Sequence, residues 1–411
     1  MPKILIVHPE GNIKDNPNLF AVAKLIVKQG WEVLVYSLRR KEIYQGEIFP
    51  GASFVYFGDT AKETIQIERG FMNEDIRFVV GIDDLGIIKA QKIAGFLRVP
   101  YLFLSYEILF DHEIKKIGKR ADWQNKCLAK QAVKDAQCAV VQDDTRKKIL
   151  SEEYGIQLEK ILLMPVANTG SRHLSPSSYF HDMFAIPEDK HVLLYMGWMD
   201  VAQEKRMVKF ASCLPEDWVL VAHSRYKYKS RIKSEYIGSK LFFSCDKPIE
   251  NIEDMGIMLS GCQAGFCTYQ PSTHSIYLGD NIRYIGLSSG KTATFLQYGI
   301  PVVVENMNIW DSLVEQYHIG FELKSSKDLL RLDEFVAEDY SKNATRFFET
   351  QLDAANFFPK IWQIVTARSK ISRFNLCAYW AYCMKLRFDE VMQKGKERIR
   401  SVFPKYSNGR K

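Results

Sequence analysis

"KILIVHPEGNIKDNPNLFAVAKLIVKQGWEVLVYS", residues 3–37, decides the fold. Its first segment, "KILIVHP", is a short β-branched run of the kind that forms a buried parallel strand. "NLFAVAKLIVKQG" then sets apolar residues at helical spacing up to a stopping Gly30, and "WEVLVYS" reads as a second strand. The same rhythm continues through "SFVYFG", "RFVVGID", "GIIKAQKIAGFLRV", "PYLFLSYEI" and "AQCAVVQDD". Alternating β and α units of this length predict a doubly wound parallel sheet.

Residues 166–190, "VANTGSRHLSPSSYFHDMFAIPEDK", break the alternation with Ser, Pro, Asn and Gly. It restarts with "HVLLYMG", a helix around "EKRMVKFASCL", "WVLVAHS", "KLFFSC", a helix before "GCQAGFCTY", and finally "PVVVEN". The expected architecture is α/β, with two Rossmann-like domains facing a cleft and a basic helical C-terminal extension. The expected boundaries are 1–170 for the first domain, 171–190 for a linker, 191–340 for the second domain, and 341–411 for crossing helices and a basic tail. Ligands of open parallel sheets sit at the carboxyl ends of the strands, which makes the cleft the expected active site.

Composition narrows the class. A 411-residue chain with 46% apolar and 26% charged residues is ordinary for a globular protein of two or three domains. The first apolar run is too short for a signal-peptide core and no stretch approaches a membrane span, so a cytoplasmic location is expected. The eight cysteines contain no Cys-x-x-Cys pair and read as reduced, buried small hydrophobes. No cluster of Cys and His with metal-ligand spacing occurs, so no metal or cofactor is expected.

"SSGKTATFLQYGIPVVVEN", residues 288–306, holds a Ser-Gly-Lys-Thr sequence that invites a P-loop reading. The spacing argues against it: Ile285 occupies the place of the first glycine, and the polar "HSIYLGDNIRY" replaces the buried strand that should feed the loop. Ser289 instead reads as the N-cap of a short helix stopped by Gly299. Such a helix presents its positive end and unpaired N–H groups to the cleft, with Lys291 beside them, and can hold a diphosphate. A dinucleotide oxidoreductase is disfavoured, because the loop after the first strand, "HPEGNIKDN", carries a single glycine.

Residues 288–323, "SSGKTATFLQYGIPVVVENMNIWDSLVEQYHIGFEL", resemble the donor-binding half of GT-B glycosyltransferases of the group 1, family-four-like kind. In that family a Ser/Pro-x-Lys-x-x-Glu-Tyr helix is followed by Gly-x-Pro-Val. The likeness extends to "LLYMGWM", "GCQAGFCTYQP", "ILIVHPEGN" and "IDDLGIIKAQKIAGFLRVPYLFLSYE", and covers about residues 1–365 by order and spacing. Retaining members place the carboxylates of a Glu-x7-Glu signature at the positions of Gly286 and Thr294, so this chain is a divergent example.

The resemblance implies a metal-independent, hexosyltransferase-type enzyme that moves a sugar from a nucleotide-activated donor to a glycan or lipid-linked acceptor, as in cell-surface polysaccharide synthesis. A non-catalytic nucleotide- or glycan-binding scaffold is the alternative, because the two carboxylates are missing. The expected donor site comprises Gly197, Lys205, Arg206, Asn281, Ser288, Ser289, Gly290, Lys291, Thr292 and Thr294. Of these, Lys291 would neutralise the leaving diphosphate, while Ser289 and Thr292 would either donate hydroxyls or simply cap the helix. Asn281 and Arg283 precede the phosphate helix within reach of the sugar or nucleotide, but read more readily as a solvated surface loop. Gly11 and Asn12 are expected on the acceptor side, and Glu10, Asp84 and Glu107, at strand ends facing the cleft, are the candidates for a base. His8 and His112 are isolated and read as structural.

The tail has its own character. Residues 368–411 carry twelve Lys and Arg against Asp389, Glu390 and Glu397, a net +9 in a chain whose total is +7. Tyr379, Trp380, Tyr382 and Phe388 among Arg373, Lys385 and Arg387 fit either a helix lying on an anionic membrane surface or a final helix packed on the first domain. Nucleic-acid binding is not expected from this charge alone.

Overall fold

A computed structural model describes residues 1–38, 47–197, 199–224, 240–244, 254–337, 339–367 and 376–402. Arg373 and the basic end at 403–411 lie outside the described residues. In chain order the strands are β1 (Lys3–His8), β2 (Glu32–Ser37), β3 (Glu47–Phe49), β4 (Ala52–Tyr56), β5 (Ile76–Ile82), β6 (Tyr101–Leu104), β7 (Ala139–Val141), β8 (Ile161–Leu163), β9 (His191–Met196), β10 (Trp218–His223), β11 (Leu241–Ser244), β12 (Ala264–Thr268), β13 (Val302–Glu305) and β14 (Gly320–Glu322).

They form two sheets, ordered β3-β4-β2-β1-β5-β6-β7-β8 and β11-β10-β9-β12-β13-β14. Pairing is parallel throughout except for the antiparallel β3–β4 edge. β1 pairs with β2 from Lys3↔Glu32 to His8↔Ser37, and with β5 on its other side. The strand order therefore reverses at β1 in the first sheet and at β9 in the second, and each reversal opens a crevice at the carboxyl edge.

The alternation read from the sequence is present in both halves. The short strands β3, β8 and β14 were not legible in it, since three residues are too few to show a period. The stretch expected as a linker carries a Tyr179–Phe184 helix, whose Phe180 is fully buried in the second domain's core with Val192, Val219 and Phe295. Cys127 departs from its expected burial by being exposed; Cys127, Cys138, Cys213, Cys262, Cys267 and Cys383 are free thiols.

The chain then returns to the first domain. The Ala354–Thr366 helix sets Phe358, Ile361 and Val365 into the core with Ile4 and Ile6, and Trp362 meets Trp31 edge-on at 5.2 Å. The Leu376–Val402 helix packs over the Ala61–Gly70 and Asp83–Leu97 helices. There Tyr379 stacks on Phe96 at 4.2 Å, the Tyr382 hydroxyl donates to Glu68 at 3.2 Å, and Glu390 accepts the first N–H of the Ala61–Gly70 helix at 2.9 Å.

Candidate active site

The Gly290–Gln297 helix is held against the second sheet by a missing side chain: a Cβ on Gly265 of β12 would lie 2.4 Å from the Phe295 ring. Ser289 caps it by accepting the Thr292 N–H at 3.4 Å, and Gly299 ends it at φ +69°. A short Asp280–Arg283 helix and a 3-10 turn at Gly286–Ser288 precede it where a P-loop would need a strand. The helix N-terminus meets the first domain directly, since a Cβ on Gly290 would sit 3.1 Å from both Pro17 and Val166.

Lys291 folds back along the carboxyl edge of the second sheet. Its ammonium donates to the Thr268 carbonyl at 3.2 Å and lies over the rings of Tyr269 at 4.0 Å and Tyr195 at 5.0 Å. Burial, with the Arg206 guanidinium nearby, pulls its pKa down to about 8. Gly197 allows a close approach here, because a Cβ there would be 2.9 Å from the Tyr195 hydroxyl and 3.4 Å from Nζ. Arg206 turns to the same edge and pairs with Glu305, which also accepts the Thr268 hydroxyl at 2.7 Å. Lys205 points to solvent.

The neighbouring hydroxyls are engaged within the fold. Ser289 and Thr292 are fully buried and share a 2.7 Å hydrogen bond, with the Tyr269 hydroxyl 3.1 Å from Ser289. Thr294 donates to the Gly290 carbonyl at 2.7 Å, as a mid-helix threonine commonly does. The Ser288 hydroxyl reaches across to the Tyr106 carbonyl at 3.4 Å. The backbone N–H groups of Gly290 and Lys291 have no acceptor among the described residues.

On the facing side, His8 shapes the loop after β1. Its Nδ1 accepts the N–H groups of Glu10 and Gly11 at 3.1 and 3.2 Å, and burial drives its pKa down to about 3, so the ring is neutral. Gly11 is in the left-handed region at φ +73°, where a Cβ would be 2.5 Å from the Ser37 hydroxyl. Glu10 is exposed and Asn12 half-buried.

The other candidate carboxylates divide. Asp84 turns into the domain, hydrogen-bonded by the Tyr154 hydroxyl, and burial raises its pKa to about 6 against the opposing pull of Lys126. Glu107 stays at the cleft, with burial and the nearby Glu10 carboxylate raising its pKa and Arg146 opposing. Asp83, which sits beside Asp84 at the same strand end and is a candidate on the same ground, links the two strand ends by accepting the N–H groups of Tyr106 and Glu107 at 2.7 and 2.9 Å. Burial, then Glu107, lifts its pKa to about 8.

Asn281 overturns the solvated-loop reading: it is 1% exposed and bridges the two domains. Its amide donates to Glu107 and to the Tyr277 carbonyl at 3.2 Å, and its oxygen accepts from the Ile108 N–H at 2.9 Å and Arg146 at 3.3 Å. Arg283 does remain exposed, paired with Asp280 at 2.8 Å. The residues that sequence reasoning missed are the supports of this bridge. Arg146, fully buried, donates to Gln142 at 2.7 Å and to the carbonyls of Tyr106 and Tyr284 at 2.7 and 3.0 Å, and Asp143 accepts the Leu287 N–H at 2.9 Å. "QDDTR" offered only a helix-cap signal for them. His112, Glu113 and Asp280 also converge across the domains within 4.8 Å, His112 lying 3.3 Å from Asp280.

No family model matches the sequence, and no curated sequence is recognisably similar to it. The fold has clear counterparts among solved structures. Sucrose-phosphate synthase from Thermosynechococcus elongatus matches 89% of this chain and 98% of its own at TM-score 0.62 and 11% identity. HepE from Anabaena, solved with UDP, matches 89% and 99% at 0.64 and 12% identity. A glycosyltransferase from Rickettsia africae does so with the same coverage, score and identity. The chain has the GT-B fold.

Proposed function

We propose that this protein is a glycosyltransferase that binds a nucleoside diphosphate sugar on its second domain and transfers the glycosyl group to an acceptor held against the first. The observation that carries this is Lys291: a cation at the N-terminus of the Gly290–Gln297 helix, beside two unpaired backbone N–H groups and the side-chain-free Gly197. Those groups together stabilise the negative charge that grows on a diphosphate as its sugar departs. HepE, of the same fold, has been solved with UDP and with UDP-glucose, which supports a uracil nucleotide as the first donor to try.

Glu107 is the group we assign to receive the acceptor's proton. It lies at the cleft, oriented by Asn281, and burial raises its pKa, which makes it a stronger base than an ordinary carboxylate. The acceptor we favour is a glycan or lipid-linked saccharide, and leaving-group stabilisation by protein groups makes the transfer of a hexose independent of a metal ion. Closing the two domains would exclude water from the donor.

A second reading, a nucleotide-binding scaffold, draws on the engaged Thr294 hydroxyl and on Gly286, whose missing side chain cannot supply the family's carboxylate. Thermal shift of the purified chain with UDP, GDP, CMP, dTDP and ADP, wild type beside Lys291→Ala, tests the donor site. Stabilisation by one diphosphate that is lost in Lys291→Ala supports it. UDP release with a saccharide acceptor, abolished in Glu107→Gln while nucleotide binding persists, separates enzyme from scaffold. No stabilisation by any diphosphate refutes both readings.

A further inference from the structure

The Leu376–Val402 helix covers the first domain with one face and leaves the other largely uncovered among the described residues, the Arg69 guanidinium lying over the Trp380 ring at 5.1 Å. Tyr379, Tyr382 and Cys383 are buried against the domain, with Leu386 beside them. Outward, Trp380, Met384, Phe388, Val391 and Met392 follow one another at i, i+4, i+8, i+11 and i+12, which places them on a single stripe. They are strongly exposed: Trp380 49%, Met384 66%, Phe388 63%. Isolated exposed apolar residues are commonplace, but five large ones in a continuous row are not.

The charges are sorted around that row. At roughly 100° per residue, Lys385 falls on one flank of the stripe and Arg387 and Lys394 on the other. All three are exposed, as is Asp389, whereas Glu390 is half-buried and pairs with Lys394 at 2.5 Å. Glu390 also caps the Ala61–Gly70 helix. An apolar stripe with Lys385 on one flank and Arg387 on the other, and with Glu390 tied to the protein and to Lys394, matches an interface of acyl chains beneath anionic headgroups. A second copy seated on the same face would bring the cationic flanks together with Asp389 as the one exposed acid among the described residues of the helix to meet them.

We propose that this helix docks the protein on an anionic lipid surface, its apolar stripe entering the headgroup boundary and Lys385 and Arg387 meeting phosphate. The docking stands apart from which sugar is transferred. Its placement has a consequence for the cleft: the Ala61–Gly70 helix begins at the carboxyl end of β4, so the Glu390 contact brings the later half of the docking helix to the edge that carries Glu10 and Glu107.

The test is sedimentation of the full chain with vesicles of phosphatidylcholine alone or mixed with phosphatidylglycerol. Binding to the mixed vesicles alone is expected, weakening with salt. A loss of about tenfold or more is expected in Met384→Glu with Phe388→Glu and, independently, in Lys385→Glu with Arg387→Glu. Failure of the wild type to bind the anionic vesicles, or equal binding by both double variants, overturns the proposal. A concentration-dependent dimer that Met384→Glu with Phe388→Glu dissolves, with no vesicle binding, overturns it in favour of a second copy.

Discussion

The carboxylate of Asp143 occupies the space that a side chain on Gly286 would enter: a Cβ there would stand 2.1 Å from Oδ2, which accepts the Leu287 N–H at 2.9 Å. Gly286 is also in the left-handed region at φ +47°. The position where related retaining enzymes are implied to carry a glutamate is thus filled from the other domain. Gly286→Ala should lose about 2–4 kcal/mol through strain and the clash. Asp143→Ala should lose about 2 kcal/mol from the helix cap and the unpaired N–H. The double variant should lose less than the sum of the two, since the clash is gone; strict additivity in urea unfolding would show that the two groups do not contend for this space.

Lys291 gives the proposed donor site a pH signature. Its pKa is down to about 8 in the unliganded protein, and a bound diphosphate favours the protonated form. Above pH 8 binding must therefore take up a proton. The dissociation constant for UDP should rise by up to about tenfold per pH unit between 8 and the higher pKa of the complex. Lys291→Arg should flatten that rise, because guanidinium stays charged. Calorimetric titrations at pH 7, 8 and 9 check this, and a flat wild-type profile would remove Lys291 from the diphosphate.

Asp83 should make stability fall with rising pH. Its folded pKa, about 8, lies above its ordinary value, so between about pH 4 and 8 the unfolded chain has lost a proton that the folded chain keeps. Unfolding is favoured increasingly across that window. Asp83→Asn, whose amide oxygen can still accept the N–H groups of Tyr106 and Glu107, should show a smaller decline in Tm from pH 5 to 8. Parallel Tm curves for the two proteins would contradict the assignment.

Asn281 ties the domains through three hydrogen bonds, to Glu107, Ile108 and Arg146. Asn281→Ala leaves Glu107 and the Ile108 N–H without this partner in a buried setting, and should cost about 2–3 kcal/mol while loosening the cleft. Asn281→Asp should be worse, since it sets a second carboxylate against Glu107. A lower Tm and a larger radius of gyration in solution scattering are expected; an unchanged radius in both variants would show that closure rests on other contacts.

The legible parts of this chain were those written in local order. "KILIVHP" and "HVLLYMG" became β1 and β9 because a fully buried parallel strand must be apolar at consecutive positions, and Ser289 and Gly299 marked both ends of the Gly290–Gln297 helix because caps need particular residue types. The P-loop could be rejected by spacing alone. The stripe on the last helix was present as composition, but which side of that helix faced the protein was not.

The sequence by itself determined the two parallel α/β halves, the short helix with its lysine at the cleft, and the basic character of the tail, since each follows from periodicity, capping or charge within a few residues. Only the tertiary structure decided that Asp143 fills the place beside Gly286, that Asn281 and Arg146 join the domains, that Asp84 turns inward while Glu107 stays at the cleft, and that Met384 and Phe388 face outward. These are contacts between residues far apart in the chain. Burial and charge there depend on which surfaces meet, and no local pattern encodes that meeting.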